Sequence, residues 1–207
     1  MKARKAVYPD APFPVDGLIV DCGRLSASAH KNPYNPLHLD WSFQIGFKPL
    51  KVGDNSYDTG LNIEIETRDV RRVEGLAGMS RHDTDCDFNI GSFYLFDYRP
   101  SRDTHFRVHS VHGTKLDVEV QVKVDVGDSY IDRHPPLRTV HLRTEVVFEG
   151  ILVSSYGVQC KADEEKLMKV ASKLFDVAAF APPRQLPDPY GKGTLNLYFD
   201  PLVKTGS

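Results

Sequence analysis

The sequence predicts an α+β fold: an antiparallel sheet of about six strands with one main C-terminal helix packed on it. Two period-two stretches and one helical stripe carry that prediction. In residues 116–126, every even position is Leu or Val and every odd position is Asp, Glu, Gln or Lys. This is the pattern of a strand with one face buried and one in water. Residues 139–153 alternate over a longer run, and the connector 127–138 is too short for a crossover helix, so the two strands are expected to pair antiparallel. In residues 163–179, Leu167, Val170, Ala171, Leu174, Phe175 and Ala178 form one apolar stripe. Strands come first and the helix late, which is an α+β order rather than an alternating βαβ one.

Residues 1–16 read as an extended arm, because Pro9, Pro12 and Pro14 prevent both helix and central strand there. Residues 17–203 read as a single domain. The first strand is expected over 17–29 and stops at 30–36, where Asn and Pro supply turn geometry. Residues 37–47 place Leu37, Leu39, Trp41, Phe43, Ile45 and Phe47 on one face, the clearest half-buried strand of the N-terminal part. A turn over 51–57 leads to another alternating run, 61–67, so a hairpin is expected. Residues 68–87 look like a long loop, and 88–98 and 104–112 look like further strands. Asp163, Glu164 and Glu165 suit the positive end of the helix, Pro182 and Pro183 end it, and 193–203 supplies a short final strand.

Composition narrows the classes. A chain of 207 residues with 41% hydrophobic and 26% charged residues is long enough to bury a core without disulfides. A net charge of −2 argues against a general nucleic-acid binder, which needs clustered positive surface. Cys22, Cys86 and Cys160 are odd in number and widely spaced, which points to reduced thiols and a cytoplasmic location. The basic N-terminus is broken by proline before an apolar core forms, so no signal peptide is expected, and no apolar run is long enough for membrane insertion.

Few residues suggest chemistry. Asp83, Asp85, Asp87 and Asn89 recur at every second position like the opening of a calcium loop, but Phe88 and Tyr94 stand where that loop needs Gly and Glu. His105, His109 and His112, with Asp103, offer a zinc site or an acid–base pair, and support the alternative of a metal-dependent enzyme. Phosphate-loop, nucleophile-elbow and dinucleotide motifs do not occur, and no cofactor is expected. The arginines at 68, 71, 72 and 81 read as a solvated loop face. Trp41, Phe43, Phe47, Phe93, Phe96, Phe148, Phe175 and Tyr198 exceed what one helix can cover over six strands. Part of that surface is therefore expected to meet a partner or another copy in a homo-oligomer.

The order of elements resembles the SecB family of export chaperones. The matching pieces are residues 18–29, Asp40 and Trp41 at the start of the second strand, and the alternating run 116–126. Gly150, Ile151 and Leu152 in the last long strand, the helix from Asp163, and Gly193, Thr194, Leu195, Asn196 and Leu197 with Pro201 complete the set. Residues 57–113 stand as a possible insertion relative to that pattern. Pro182, Pro183, Pro187 and Pro189 occupy the place of the family's second helix, and the chain is less acidic than the family. The resemblance implies a non-enzymatic oligomer whose apolar grooves hold unfolded or client polypeptide without ATP, with Trp41, Phe43, Phe148, Ile151 and Leu152 as the polypeptide-binding surface. The alternative within the binding class is a dedicated partner protein, such as an immunity protein, an antitoxin-type protein or a phage assembly factor.

Overall fold

Alternation builds nearly the whole molecule. The computed structural model describes residues 15–31, 33–52, 55–85, 90–95, 97–125, 137–189 and 191–202. Most of the expected N-terminal arm, the connector 127–136, Asp87, Phe88, Asn89 and Cys86 lie outside them, as do the side chains of Asp85 and Phe96. Thirteen strands follow in chain order: β1 (Val20–His30), β2 (His38–Phe47), β3 (Leu50–Val52), β4 (Asn55–Tyr57), β5 (Thr59–Thr67), β6 (Ser80–His82), β7 (Gly91–Leu95), β8 (Asp97–Pro100), β9 (Arg102–His112), β10 (Lys115–Asp125), β11 (Leu137–Ser154), β12 (Arg184–Leu186) and β13 (Asn196–Phe199). Among the described residues one α-helix, α1 (Glu164–Leu174), lies between β11 and β12.

The expectation of about six antiparallel strands under a main helix is overturned. Strands make up 56% of the described residues and helical turns 14%. Eleven strands form one mixed sheet, whose main run is β6-β9-β10-β11-β1-β2-β5-β7-β8, with β13 and then β12 branching from β11. The sheet is mixed because β1 runs parallel to β11. β10 and β11 do pair antiparallel, as do β2 and β5, with β3 and β4 forming a separate small hairpin between them. Residues 57–113 supply β5 to β9 of this same sheet. The extra strands arise where the sequence pattern is weak: β6 lies in the supposed loop 68–87, and the supposed strand 88–98 belongs to the hairpin of β7 and β8.

The sheet curls on itself. Phe43 on β2 and Phe106 on β9 are four places apart in the strand order, about 19 Å in a flat sheet at ~4.8 Å per strand. Their ring centroids are 4.5 Å apart. The far end of the run leads back through the chain itself: only Ser101 separates β8 from β9, and its N extends the β7–β8 ladder to Gly91 O at 3.0 Å. The Asp83 carboxylate accepts from Ile90 N at 3.1 Å and from Thr104 N at 2.8 Å. So Asp83, one of the suspected calcium-loop residues, clamps the seam between β7 and β9. Gly91 is needed there because a Cβ would lie 2.4 Å from Ser101 Oγ.

Inside the curl, Phe43, Ile63, Val108, Leu116, Val118, Val120 and Val122 are fully buried. Helix α1 packs Leu167, Ala171 and Leu174 inward. Phe175 stacks edge-on with Phe180 at 5.2 Å and Phe199 at 5.0 Å. Asp163 caps the helix by accepting from Lys166 N at 3.1 Å. The helix ends earlier than its stripe suggests because Phe175 turns extended and Asp176 caps a short 3-10 turn of its own at Ala178 N.

Candidate functional site

The five residues assigned to a polypeptide-binding surface divide sharply. Trp41, Phe43, Phe148 and Ile151 are each at most 2% exposed. Trp41 donates from Nε1 to Thr67 Oγ1 at 2.8 Å and lies 5.8 Å from the Phe148 ring, so its polar edge is also satisfied within the chain. Phe47, Phe93 and Phe175 are buried too. The surplus of rings over helix disappears because the curled sheet is its own roof. Leu152, one residue beyond Ile151, faces the other way and is half-buried. It lines a cleft of about 590 Å³ together with Ser28, His30, Leu186, Pro187 and Tyr156.

That cleft sits where three connections converge. Lys31 N donates to Gly157 O at 2.9 Å, joining the β1–β2 connection to the turn after β11. Ser155 N donates to Leu195 O at 2.9 Å and Leu195 N to Ser155 Oγ at 3.1 Å, joining that turn to the segment before β13. Thr194 N to Asp188 Oδ2 and Asn196 Nδ2 to Pro187 O hold the proline-rich segment against it. Tyr34, in the β1–β2 connection, is 97% exposed, and Tyr156, in the turn after β11, is 79% exposed. Strand β12 pairs only with β13 among the described residues.

The histidines singled out in the sequence are not brought together. His105 lies beside His82, with ring centroids 3.7 Å apart, and both approach Asp103 Oδ1, at 3.6 and 3.2 Å. Lys123 Nζ holds the other Asp103 oxygen at 2.8 Å. Hydrogen bonds from Lys123 first, and then from His82, pull the Asp103 carboxyl down to about 2. His109 belongs to a different group, in which Glu119 bridges His109 Nε2 and His141 Nε2 at 2.7 Å each. His112 lies apart from both, at the rim of a cleft with Arg72 and Lys115. A single zinc or acid–base site built on His105, His109 and His112 is not formed in this fold.

A third group was missed in the sequence: His38, Asp40 and Glu66, with His30 beside them. Alternation does place His38 and Asp40 on one face of β2, but nothing local puts Glu66 next to them. Only the β2–β5 register, which pairs Asp40 with Glu66, does so. Burial, the largest influence, raises the Asp40 carboxyl above its ordinary value, against the lowering effect of His38 and His30. Ser28 Oγ and Asp40 Oδ2 both approach the same His30 nitrogen, Nε2, at 2.9 and 3.6 Å. A serine–histidine–aspartate relay needs the two ring nitrogens to be divided between its partners, so this is not one.

No family model, curated protein or solved structure matches the chain. Those comparisons neither support nor oppose the SecB-like resemblance. Among the described residues no helix is long and apolar enough to cross a membrane.

Proposed function

We propose that this is a non-enzymatic binding protein that docks one folded polypeptide at the end of the sheet where the β1–β2 connection, the turn after β11 and the segment before β13 meet. One observation carries the reading. Among the described residues, the two most exposed large apolar side chains, Tyr34 and Tyr156, stand on adjoining connections at this end. Tyrosine suits such a place because it offers a large rigid ring with a polar tip. The cleft beside Tyr156 supplies an apolar recess at Leu152, Leu186 and Pro187 for an anchoring side chain. The outer edge of β12 offers main-chain groups for an added strand.

Holding unfolded chain in the manner implied by the SecB resemblance needs open apolar area in proportion to the client bound. Four of the five residues assigned to that task are sealed in the core, and Leu152 is the one this reading retains. The reason for expecting a homo-oligomer was the same surplus of rings, so the reading takes the chain to act as a single subunit. Free Cys22 and Cys160 fit a cytoplasmic setting.

The test has two arms. A reduced, unfolded model protein is expected to aggregate at its unassisted rate in the presence of the chain without nucleotide; slowed aggregation at near-equal ratios contradicts the reading. Affinity capture is expected to retain one folded partner at one-to-one stoichiometry. The Tyr156→Ala and Leu152→Asp variants are expected to weaken that capture by about 2 kcal/mol each, roughly thirtyfold. Equal capture by wild type and both variants places the partner elsewhere.

A further inference from the structure

Strands β1, β2 and β5 are consecutive neighbours in the sheet, and their register aligns His30 with His38, Ser28 with Asp40, and Asp40 with Glu66. His38, Asp40 and Glu66 therefore gather on the face opposite Leu39 and Trp41. Their ligand atoms all lie within 4.8 Å of one another.

His38 and Glu66 each have the far atom held by a hydrogen bond, and all three side chains turn one ligand atom to a common point. His38 is 2% exposed, and its Nδ1 lies 2.6 Å from Pro36 O. A carbonyl only accepts, so Nδ1 carries a proton and donates, which leaves Nε2 as the ring atom turned toward the carboxylates. That Nε2 lies 3.1 Å from Asp40 Oδ1 and 3.9 Å from Glu66 Oε1. Glu66 Oε2 accepts from Asn35 Nδ2, and Asn35 Oδ1 accepts in turn from Arg68. Asp40 Oδ2 faces His30 Nε2 at 3.6 Å. Asp40 Oδ1 is buried with no hydrogen-bond partner, so its 3.1 Å approach to His38 is not a hydrogen bond.

Two carboxylate oxygens converging on one ring nitrogen in a half-buried place need a positive charge among them, which a bound cation at Nε2 supplies in place of a proton there. We propose that His38 Nε2, Asp40 Oδ1 and Glu66 Oε1 bind a divalent first-row transition ion of the zinc class. Ligands of a tetrahedral zinc with bonds of about 2.0–2.1 Å stand about 3.3 Å apart, and the two observed separations from Nε2 bracket that value. Two carboxylates neutralise the ion, and an imidazole among oxygen donors suits zinc, cobalt or manganese better than calcium. His30, Asn35 and the Pro36 carbonyl act as the outer contacts that aim the ligands. The Asp103 group does not compete, because Lys123 already provides its positive charge. The proposal stands independently of the docking reading.

The test uses the full chain, stripped with a chelator and dialysed. Calorimetric titration with zinc chloride alone is expected to show one ion per chain. Cobalt chloride is expected to develop ligand-field absorption bands that zinc displaces. Asp40→Asn and Glu66→Gln are each expected to weaken zinc at least roughly tenfold, and the double variant to abolish the one-to-one isotherm. Asp103→Asn is expected to bind as wild type does. Melting followed by circular dichroism checks folding, and Glu66→Gln, at a partly exposed side chain, decides the matter if Asp40→Asn does not fold. The proposal is overturned by any of three results: no saturable binding to wild type, unchanged affinity in folded Glu66→Gln, or loss of binding in Asp103→Asn. A nitrogen-15 histidine spectrum showing His38 Nε2 protonated and indifferent to zinc would also end it, since a proton then fills the position assigned to the metal.

Discussion

Replacing Phe106 by Ala is expected to lower the unfolding free energy by about 3–5 kcal/mol, read as a fall in the urea midpoint with an unchanged slope. Phe106 is 1% exposed on the inner face of β9, and its ring meets Phe43 across the curl. Truncation removes the transfer energy of a full aromatic side chain and leaves a void bounded by strands that cannot close in without breaking their ladders. Against a total of about 5–15 kcal/mol, the variant is marginal at best. If the sheet were open and these rings lay on a free face, the same substitution would stay within about 0.5 kcal/mol, because an exposed ring has little burial to lose.

Gly150→Ala is expected to cost about 3 kcal/mol, measured in the same way. Gly150 has φ +144°, a conformation that side chains rarely adopt, and a Cβ there would lie 2.4 Å from Phe199 O. It sits at a β-bulge: Leu25 aligns with Phe148 but Ser26 aligns with Gly150, so Glu149 is the extra residue. Here β11 also changes partner, pairing with β10 up to Val147 and with β13 from Ile151. The added methyl pushes β13 away. Native-state hydrogen exchange should therefore accelerate at the amides of β13 before those of β10. Wild-type stability in the alanine variant would mean that β13 does not approach β11 this closely.

The strands that carry their own alternation were legible in the sequence. Residues 37–47, 116–126 and 139–153 became β2, β10 and β11 within two residues of their observed ends, and the antiparallel pairing of β10 with β11 followed from the length of the connector. Period two reports which side chains share a face, but it is silent on curvature. A flat sheet with one helix would indeed leave Trp41, Phe43 and Phe148 uncovered, so the aromatic surplus followed from an assumed shape. The residues that tie the seam of the curl are a glycine, an aspartate and two hydroxyls, namely Gly91, Asp83, Ser101 and Thr104. They contribute little to hydrophobic pattern and act only once β7 meets β9.

The candidate sites failed for a related reason. His105 and His109 lie on one strand and look like partners, yet each meets its second histidine on another strand: His82 on β6, beside Asp103, for one, and His141 on β11, through Glu119 on β10, for the other. Cross-strand neighbours depend on register, and register between distant segments such as β2 and β5 is not written in either segment alone. Leu152 parts from Ile151, with which it was grouped, because adjacent strand residues face opposite sides.

The most direct measurement is a double-mutant cycle on Phe43→Leu and Phe106→Leu, with unfolding free energies from urea titration of the wild type, both single variants and the pair. A curled, self-sealed sheet predicts a coupling of about 1 kcal/mol between these rings. Strict additivity, within about 0.3–0.5 kcal/mol, would place β2 and β9 out of contact and contradict the account, returning the buried rings to an open surface.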